Sequence, residues 1–449
     1  MRVAVIGAGV IGVTTAYELA ADGHEVVVFE RCGGVAAETS FANAGIVAPG
    51  YVTPWAAPGM PGKVLRHLFS QHTAVRLRGG ANATSLAWMW KWWRACNLRT
   101  YQTNRLRMQR LAVFSRERLH GLTTAMKLDY ERAEGCLVLL RTAQDLTLAR
   151  PGLKLLAEGP TRFKLLDAAH CRLVEPGLNA EMPLHAGIHL PDGEVGNCRQ
   201  FTMLLRHEAQ RLGASFRFHT DVLKVGPGQQ PTVTSLHREP TAPAQHSTFS
   251  KSLPTEDAPL TEPESSGPQT ESFDAVVVCA ALGAHALLRP HGLKLPLLAV
   301  HGYSVTAPLR QYEAHPDHGP RAALVDERYK VAISRIGSRI RVAGSAEIGG
   351  STEHHHPSAL ATLYKVLDDW FPGAARLGQA LPWKGARPML PDGPPVIGAS
   401  GVPGVWLNLG HGSSGWALAC GSARLVADAV GGHRPAIDTE GLGIERLRR

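Results

Sequence analysis

The first thirty residues contain the pattern that most constrains the fold. An apolar run over 2–6 is followed by Gly-Ala-Gly-Val-Ile-Gly over 7–12, by apolar residues at helical spacing up to Asp22, and by a second apolar run over 24–29. This order predicts a buried strand, a glycine turn, a helix and a second parallel strand. The three glycines permit a tight turn, close approach of a pyrophosphate, and close packing of the helix on the strand. The sequence therefore predicts a dinucleotide-binding βαβ unit.

A carboxylate, Glu30, closes the second predicted strand. In dinucleotide-binding units an acidic residue at this point accepts hydrogen bonds from ribose hydroxyls. The same negative charge disfavours the 2′-phosphate of NADP. The spacing therefore leaves NAD and FAD as candidate cofactors.

Two other segments favour FAD over NAD. Residues 39–50 form a loop of small residues that can lie against a large flat group, where a two-domain NAD enzyme would continue with further βα units. Residues 408–416 are predicted to form a strand, a glycine loop and a helix start, which clusters free backbone N–H groups. A cofactor long enough to contact both ends of the chain fits FAD better.

Composition sets the broad class of protein. The chain has 449 residues, of which 44% are hydrophobic and 19% charged, so it can bury a core and form two or three domains or one large interleaved body. Its seven cysteines include no C-x-x-C pair, which argues against a disulfide scaffold and a structural zinc site. The net charge of +9 is scattered, so we expect no nucleic-acid partner. No apolar run reaches the roughly 18–20 residues of a membrane span, and we expect a cytoplasmic protein, free or peripheral on the inner face of the cytoplasmic membrane.

The rest of the chain alternates between predicted helices and strands, with one exception. Residues 80–125 are predicted to be helical, and their four tryptophans fit either core packing or an amphipathic patch that contacts a membrane or a quinone. Residues 239–271 contain many Pro, Ser and Thr and few large apolar residues, so we predict a disordered insertion. The other predicted elements are helices over 199–213, 358–370 and 415–430, and strands over 215–225, 233–238, 273–279, 300–306, 331–333, 340–343 and 405–409.

Four groups of motifs carry a resemblance to a known family. They are 7–12 with Glu30; Thr-Ser-Phe-Ala-Asn-Ala-Gly over 39–45 with 49–51 and 54–59; Gly-Ala-Arg-Pro-Met over 385–389 with 391–393; and Gly-His-Gly over 410–412 with Gly415, Trp416 and 419–422. With these motifs the sequence resembles the D-amino-acid dehydrogenase branch of the flavoprotein superfamily that includes D-amino-acid, glycine and sarcosine oxidases. The resemblance covers nearly the whole chain apart from the insertion.

The resemblance implies an α/β fold with a Rossmann-like FAD-binding domain and a substrate domain that has a mixed β-sheet and helices. The FAD-binding domain would comprise 1–60, 190–290 and 380–449, and the substrate domain 61–189 and 291–379. The implied reaction is hydride transfer from the Cα atom of a D-amino acid to flavin N5. Hydrolysis of the imino acid would give a 2-oxo acid and ammonia, and electrons would pass to a quinone or another carrier.

The resemblance also implies roles for individual residues. Arg387 would bind the substrate carboxylate, Tyr303 and Tyr51 would line the substrate pocket, and His411 would serve the flavin through its backbone or transfer a proton. Tyr303 fits a core position equally well. The residues expected to contact FAD are Val5, Ile6, Gly7, Gly9, Val10, Ile11, Gly12, Phe29, Glu30, Arg31, Ser40, Asn43, Ala44, Gly45, Ile46, Val222, Ala280, Gly283, Gly410, His411, Gly412, Ser413, Ser414, Gly415 and Trp416.

Two alternative functions stay open at this point. One is an oxidase or dehydrogenase of a secondary amine or glycine, such as proline, hydroxyproline or sarcosine. The other is a non-catalytic flavin-binding subunit of an amine-oxidising complex, although a carboxylate-binding Arg387 argues against a silent subunit. We expect no metal, because the three adjacent histidines 354–356 cannot converge on one ion from an exposed loop. The sequence does not indicate an oligomeric state.

Overall fold

The computed structural model describes residues 1–67, 74–78, 83–238, 267–310 and 318–448. The strands are β1 Arg2–Ile6, β2 Glu25–Phe29, β3 Ile46–Val47, β4 Val75–Leu77, β5 Ala133–Leu140, β6 Lys164–Asp167, β7 Ala186–Val195, β8 Ser215–Arg217, β9 Thr220–Gly226, β10 Thr232–His237, β11 Gln269–Ser272, β12 Ala275–Val278, β13 Leu298–Pro308, β14 Ala323–Asp326, β15 Val331–Ile336, β16 Arg339–Ile348, β17 Leu381–Met389, β18 Val396–Ala399 and β19 Val405–Leu409. The helices are α1 Val10–Ala21, α2 Met60–His67, α3 Ala83–Ala95, α4 Leu98–Met126, α5 Ala143–Ala157, α6 Ala168–Val174, α7 Cys198–Arg211, α8 Ala284–Leu288, α9 Pro357–Trp370 and α10 Gly415–Gly431.

The predicted βαβ unit forms the centre of a six-stranded sheet with the order β18-β19-β12-β1-β2-β8. Strand β1 is parallel to both β2 and β12, and β19 is parallel to β12. Val3 and Val5 pack with α1 and α10, whereas Ala4 and Ile6 pack with α8 on the other face. Because both faces are covered, the strand is apolar at every one of these positions. The α/β class is confirmed.

The second sheet has ten strands, with the path β17-β13-β16-β15-β14-β5-β7-β3 and with β4 and β6 paired to β16 and β7. Neighbours on this path are antiparallel except for β5 and β14, which are parallel. Helix α9 covers one face, where Trp370 and Leu363 pack with Val305 and Val342. Strands β13, β16 and β17 line a large cavity, and the sheet is mixed, as expected.

The predicted insertion ends earlier than expected. Residues 239–266 lie outside the described residues, but 269–272 form strand β11, which pairs antiparallel with β10. Glu271 forms ion pairs with Arg2 (2.8 Å) and Arg217. Main-chain pairing and these charges stabilise a strand that has no apolar residues, which is why its composition did not indicate order.

The contacts of the long helix α4 cross the predicted domain boundaries. It falls within 61–189, yet it packs on α10, and its Leu111 belongs to the same core as Val3 and Val5. Fully buried Glu18 of α1 connects these helices, because it accepts hydrogen bonds from Arg118 of α4 and Arg424 of α10. In turn, β3 and β17 fall within 1–60 and 380–449 but belong to the ten-stranded sheet.

The four tryptophans of α3 divide into two pairs. Trp88 and Trp92 are buried, and the Trp88 Nε1–H donates to the Met389 carbonyl at 3.1 Å. Trp90 and Trp93 are 54% and 60% exposed. Core packing thus accounts for one pair only. Within the described residues, no helix combines the length and apolar character that crossing a bilayer requires.

Candidate active site

The glycine turn after β1 has the geometry that the sequence predicts. Gly7 has φ +100°, which favours glycine, and a Cβ at Gly12 would overlap the Gly7 carbonyl oxygen. Helix α1 therefore starts directly behind the turn. Its N-cap, Gly9, has no side chain to cap the helix, and the Val10 N–H donates to Ser40 Oγ at 3.1 Å. The N-terminus of α1 is thus free of bulky side chains on the side of the turn.

Glu30 is held firmly at the end of β2. Its Oε2 accepts a hydrogen bond from the Ala8 N–H (2.6 Å), and its Oε1 accepts one from the Cys32 N–H (2.8 Å). The carboxylate is half-buried and lines the large cavity. Arg31 also lines the cavity and pairs with Glu38. The carboxylate position required for ribose recognition is therefore fixed by the backbone on both sides.

The C-terminal glycine loop faces the same cavity. Gly410 and Gly412 have φ +78° and +57°, and the single-turn 3-10 helix Gly412–Ser414 leads directly into α10. Trp416 at the start of α10 packs against Tyr130, and its indole N–H is buried without a hydrogen-bond partner in the described part of the chain. The loop therefore presents backbone groups, with no side-chain cap on the helix.

The loop of small residues after Glu30 is held against the ten-stranded sheet by three carbonyl contacts. Ser304 Oγ donates to the carbonyl of residue 42 (2.8 Å), Arg341 Nη1 to that of 43 (3.0 Å), and Ser334 Oγ to that of 44 (2.7 Å). Sequence reasoning missed Ser304, Ser334 and Arg341. The available signal in each case was a polar residue in or directly after a predicted strand.

One cavity of about 1850 Å³ brings most of the predicted residues together. This volume exceeds the roughly 300–1,000 Å³ of sites for one small ligand, so it can hold a dinucleotide and a substrate. All predicted site residues line it except Val5 and Gly12. These two residues do not line the cavity, because Val5 is in the sheet core and Gly12 lies behind the turn, against Gly7.

Arg387 on β17 is an unusual cation within this cavity. Burial lowers the pKa of its guanidinium to about 10, and Nη1 donates to the Ser345 carbonyl at 2.9 Å. No Asp or Glu of the described ranges forms an ion pair with it. A partly buried cation without an anionic partner is costly to the fold, which favours a role in binding an anion.

Tyr303 is among the residues that line the cavity, but its side chain lies on the opposite face of the sheet from Arg387. Its ring is fully buried, its hydroxyl donates to Glu347, and that hydroxyl accepts the His356 N–H at 3.2 Å. Lys384 pairs with Glu347 at 2.8 Å, which completes a buried polar cluster. Since successive strand residues point to opposite faces, Tyr303 and Lys384 point away from the face of Arg387. The contacts favour the core position over a substrate-facing hydroxyl.

Tyr51 and His411 are both electrically neutral at physiological pH. Burial beside Glu327 raises the pKa of Tyr51, whose hydroxyl donates to that carboxylate at 3.2 Å. Burial lowers the pKa of His411 to about 3. The Ser422 hydroxyl donates to the Ala419 carbonyl, so His411 Nε2–H donates to Ser422 Oγ at 3.0 Å. The Tyr51 hydroxyl is protonated and therefore no base, and the lowered pKa of His411 makes its ring a poor proton acceptor.

The two sheets, the glycine turns and the arginine-bearing cavity define a dinucleotide-dependent oxidoreductase. The chain belongs to the DAO family of FAD dependent oxidoreductases, whose family model matches residues 2–429. Its cofactor is therefore FAD.

Curated relatives match along the whole chain. A D-amino acid dehydrogenase of Rhizorhabdus wittichii is 42% identical over 450 residues, which cover 99% of this chain and 100% of that protein. One of Cereibacter sphaeroides is 42% identical over 99% of this chain and 95% of that protein.

Solved structures share the fold at low sequence identity. Glycine oxidase from Geobacillus kaustophilus superposes with a TM-score of 0.70 at 18% identity, covering 99% of this chain and 98% of that one. L-proline dehydrogenase from P. horikoshii gives a TM-score of 0.69 at 15% identity, covering 100% and 98%.

The residues present fit FAD. The turn at Gly7 and Gly9 leaves the N-terminus of α1 open to a diphosphate, and Glu30 stands where a ribose acceptor is needed. The loop at 410–415 opens on the same cavity from the other end of the chain. We expect these segments to hold the cofactor.

Proposed function

We propose that this protein oxidises D-amino acids to imino acids, which water hydrolyses to 2-oxo acids and ammonia. The curated relatives that support this proposal match this chain over nearly their full length, so the comparison is between whole proteins and not between fragments. Bound FAD supplies the acceptor for the two electrons that leave the substrate.

Arg387 is the single observation that carries this proposal. Its guanidinium lies in the cavity wall, is buried enough to lower its pKa, and has no carboxylate partner in the described residues. A guanidinium binds a carboxylate through two parallel hydrogen bonds, which fixes the rest of the substrate in one orientation. A non-catalytic subunit would have no use for such a group.

Neither Tyr51 nor His411 is suited to accept the proton of the substrate amine. The Tyr51 hydroxyl is engaged by Glu327, and His411 donates its Nε2–H to Ser422. We therefore propose that the substrate reacts as its neutral amine, and that bulk water rather than a protein base takes the proton. Arg387 and the apolar walls then act by holding the amine form in place.

A dye-reduction assay with purified holoenzyme tests the proposed function. Matched D- and L-enantiomers of alanine, leucine and phenylalanine are compared with D- and L-proline, hydroxyproline, sarcosine and glycine. We expect turnover of the primary D-amino acids with release of ammonia and little turnover of their enantiomers. Preferential turnover of the secondary amines, or of L-amino acids, would contradict the proposal.

We further propose that the exposed face of α3 contacts a membrane surface, where electrons pass to a quinone or another carrier. Trp90 and Trp93 are more than half exposed, and Lys91 and Arg94 are on the same short helix. Tryptophan and basic residues together favour an anionic bilayer surface. Co-sedimentation with anionic vesicles should fall when Trp90 and Trp93 are both replaced by Ser, and equal binding would contradict this part of the proposal.

A further inference from the structure

Two glycines face each other across β13 and β17 on the cavity side of the sheet. Gly302 and Gly385 are directly paired in the strand register. A Cβ at Gly302 would overlap the guanidinium of Arg387, and a Cβ at Gly385 would overlap the indole of Trp383. Gly302 thus leaves space for the Arg387 side chain and Gly385 for the Trp383 side chain, both of which come from β17.

This arrangement brings Arg387 and Trp383 towards one another. Their Cα atoms are four residues apart on β17, but the guanidinium extends over Gly302 and the indole over Gly385. Paired positions on neighbouring strands have Cβ atoms about 4.5–5.5 Å apart. The indole edge and the guanidinium therefore occupy adjacent points of one wall, and both residues line the cavity.

We propose that Trp383 is a specificity-determining residue, whose indole contacts the side chain of a substrate held by its carboxylate at Arg387. This inference rests on the proposed function and adds a substrate class, D-amino acids with an apolar side chain. The indole has no charge to offer an ionised side chain, and it presents a large flat apolar surface.

The surroundings of Arg387 support an apolar substrate side chain. Val300 is paired with Arg387 across β13 and β17, and Met389 follows two residues later on the same face. Both belong to a cluster packed with Ala346 and the cavity-lining Trp55. An ammonium or carboxylate brought here would lose its hydration without finding a counter-charge from these residues.

The test uses holoenzyme in which Trp383 is replaced by Ala or by Phe. We expect Trp383→Ala to lower kcat/KM for D-phenylalanine and D-leucine about tenfold while that for D-alanine changes less than about threefold. Trp383→Phe keeps an aromatic ring and should retain most of the preference. Leu381→Ala is the matched control, since Leu381 is on the same strand, is 72% exposed and does not line the cavity.

A binding measurement separates this inference from the proposed function. Calorimetry compares phenylacetate with acetate, neither of which can be oxidised as an amine. We expect Trp383→Ala to weaken phenylacetate about tenfold and acetate by less than twofold. Equal losses for both ligands, or for D-alanine and D-phenylalanine, would overturn the role of Trp383. If Trp383→Ala changes the binding of the two carboxylates as expected but the wild type oxidises no D-amino acid, the proposed function is contradicted and the role of Trp383 is not.

Discussion

Thr15 and Asn408 are hydrogen-bonded at 3.0 Å although they are 393 residues apart in sequence. Thr15 is on α1, and Asn408 is near the end of β19, which lies in the same parallel sheet as β1. The carboxyl ends of parallel strands meet at one edge. This bond therefore joins α1 to the strand that leads into the C-terminal glycine loop, close to the edge where the dinucleotide is expected to bind.

The Thr15–Asn408 bond should couple the two ends of the chain. We expect Thr15→Val and Asn408→Ala each to lower the free energy of unfolding by about 1 kcal/mol or more, because each removes the buried hydrogen bond between the two side chains. Thr15→Val also removes the hydrogen bond from the Thr15 hydroxyl to the Ile11 carbonyl. The double variant should lose less than the sum, since the two share one interaction. Urea unfolding of the four proteins measures this, and fully additive losses would show that the residues act independently.

Arg387 should matter to catalysis more than to stability. Arg387→Met is expected to lower kcat/KM for a D-amino acid by about 10²–10³-fold, which corresponds to about 3–4 kcal/mol of lost carboxylate binding in the transition state. The bound flavin should stay, and the unfolding free energy should be unchanged or higher because a partly buried cation without an anionic partner is gone. Near-normal turnover would remove the substrate assignment.

Arg341 offers a matched comparison for that variant. Burial also lowers its pKa to about 10, but its guanidinium is bound to Thr306 and to the carbonyl of Asn43. Arg341→Met should therefore destabilise the loop and lower flavin retention. A stable, flavin-replete Arg341→Met protein would contradict the role given to this arginine.

Carboxylate binding should weaken at high pH. The pKa of Arg387 is lowered to about 10, so its positive charge is lost as the pH rises through that value. Acetate, which has no amine to titrate, should bind equally between pH 7 and 9 and then weaken by up to tenfold per pH unit above about 10. Bound carboxylate would itself raise the Arg387 pKa. Acetate affinity that stays flat to pH 11 would contradict an arginine-dependent site.

His411 should contribute to acid sensitivity and not to proton transfer. Its pKa is lowered to about 3, so between about pH 3 and 6.5 the unfolded chain binds a proton that the folded protein does not. Stability should fall as the pH drops below about 6.5, by up to about 1.4 kcal/mol per pH unit from this group. His411→Gln should reduce that dependence and keep kcat within about tenfold. A loss of kcat beyond a hundredfold would make His411 catalytic.

Local sequence patterns predicted the parts of the fold that depend on local physics. Gly7 needs a positive φ, and the strand before it needs apolar residues on both faces, so the βαβ unit could be placed from sequence. The direction of the Tyr303 side chain could not be predicted, because both faces of its strand are buried. A shift of one residue along the strand exchanges the cavity face for the core face. That choice depends on Glu347 and Lys384, which are distant in the chain.

Other features depended on contacts that sequence does not show. The apolar stripe of α4 indicates a buried face but not that this face packs on α10. Strand β11 is ordered by Arg2 and Arg217, which act from elsewhere in the chain. Trp383 was missed because its importance comes from the missing side chain at Gly385.

Anaerobic titration of the bound flavin tests the central claim most directly. Purified wild-type protein and Arg387→Met are mixed with D-alanine, and then with L-alanine, in the absence of oxygen and of any other acceptor. We predict that D-alanine bleaches the visible flavin absorbance of the wild type within seconds to minutes and that the variant stays yellow. Equal bleaching by the two enantiomers, or bleaching of the variant at the wild-type rate, would contradict the account.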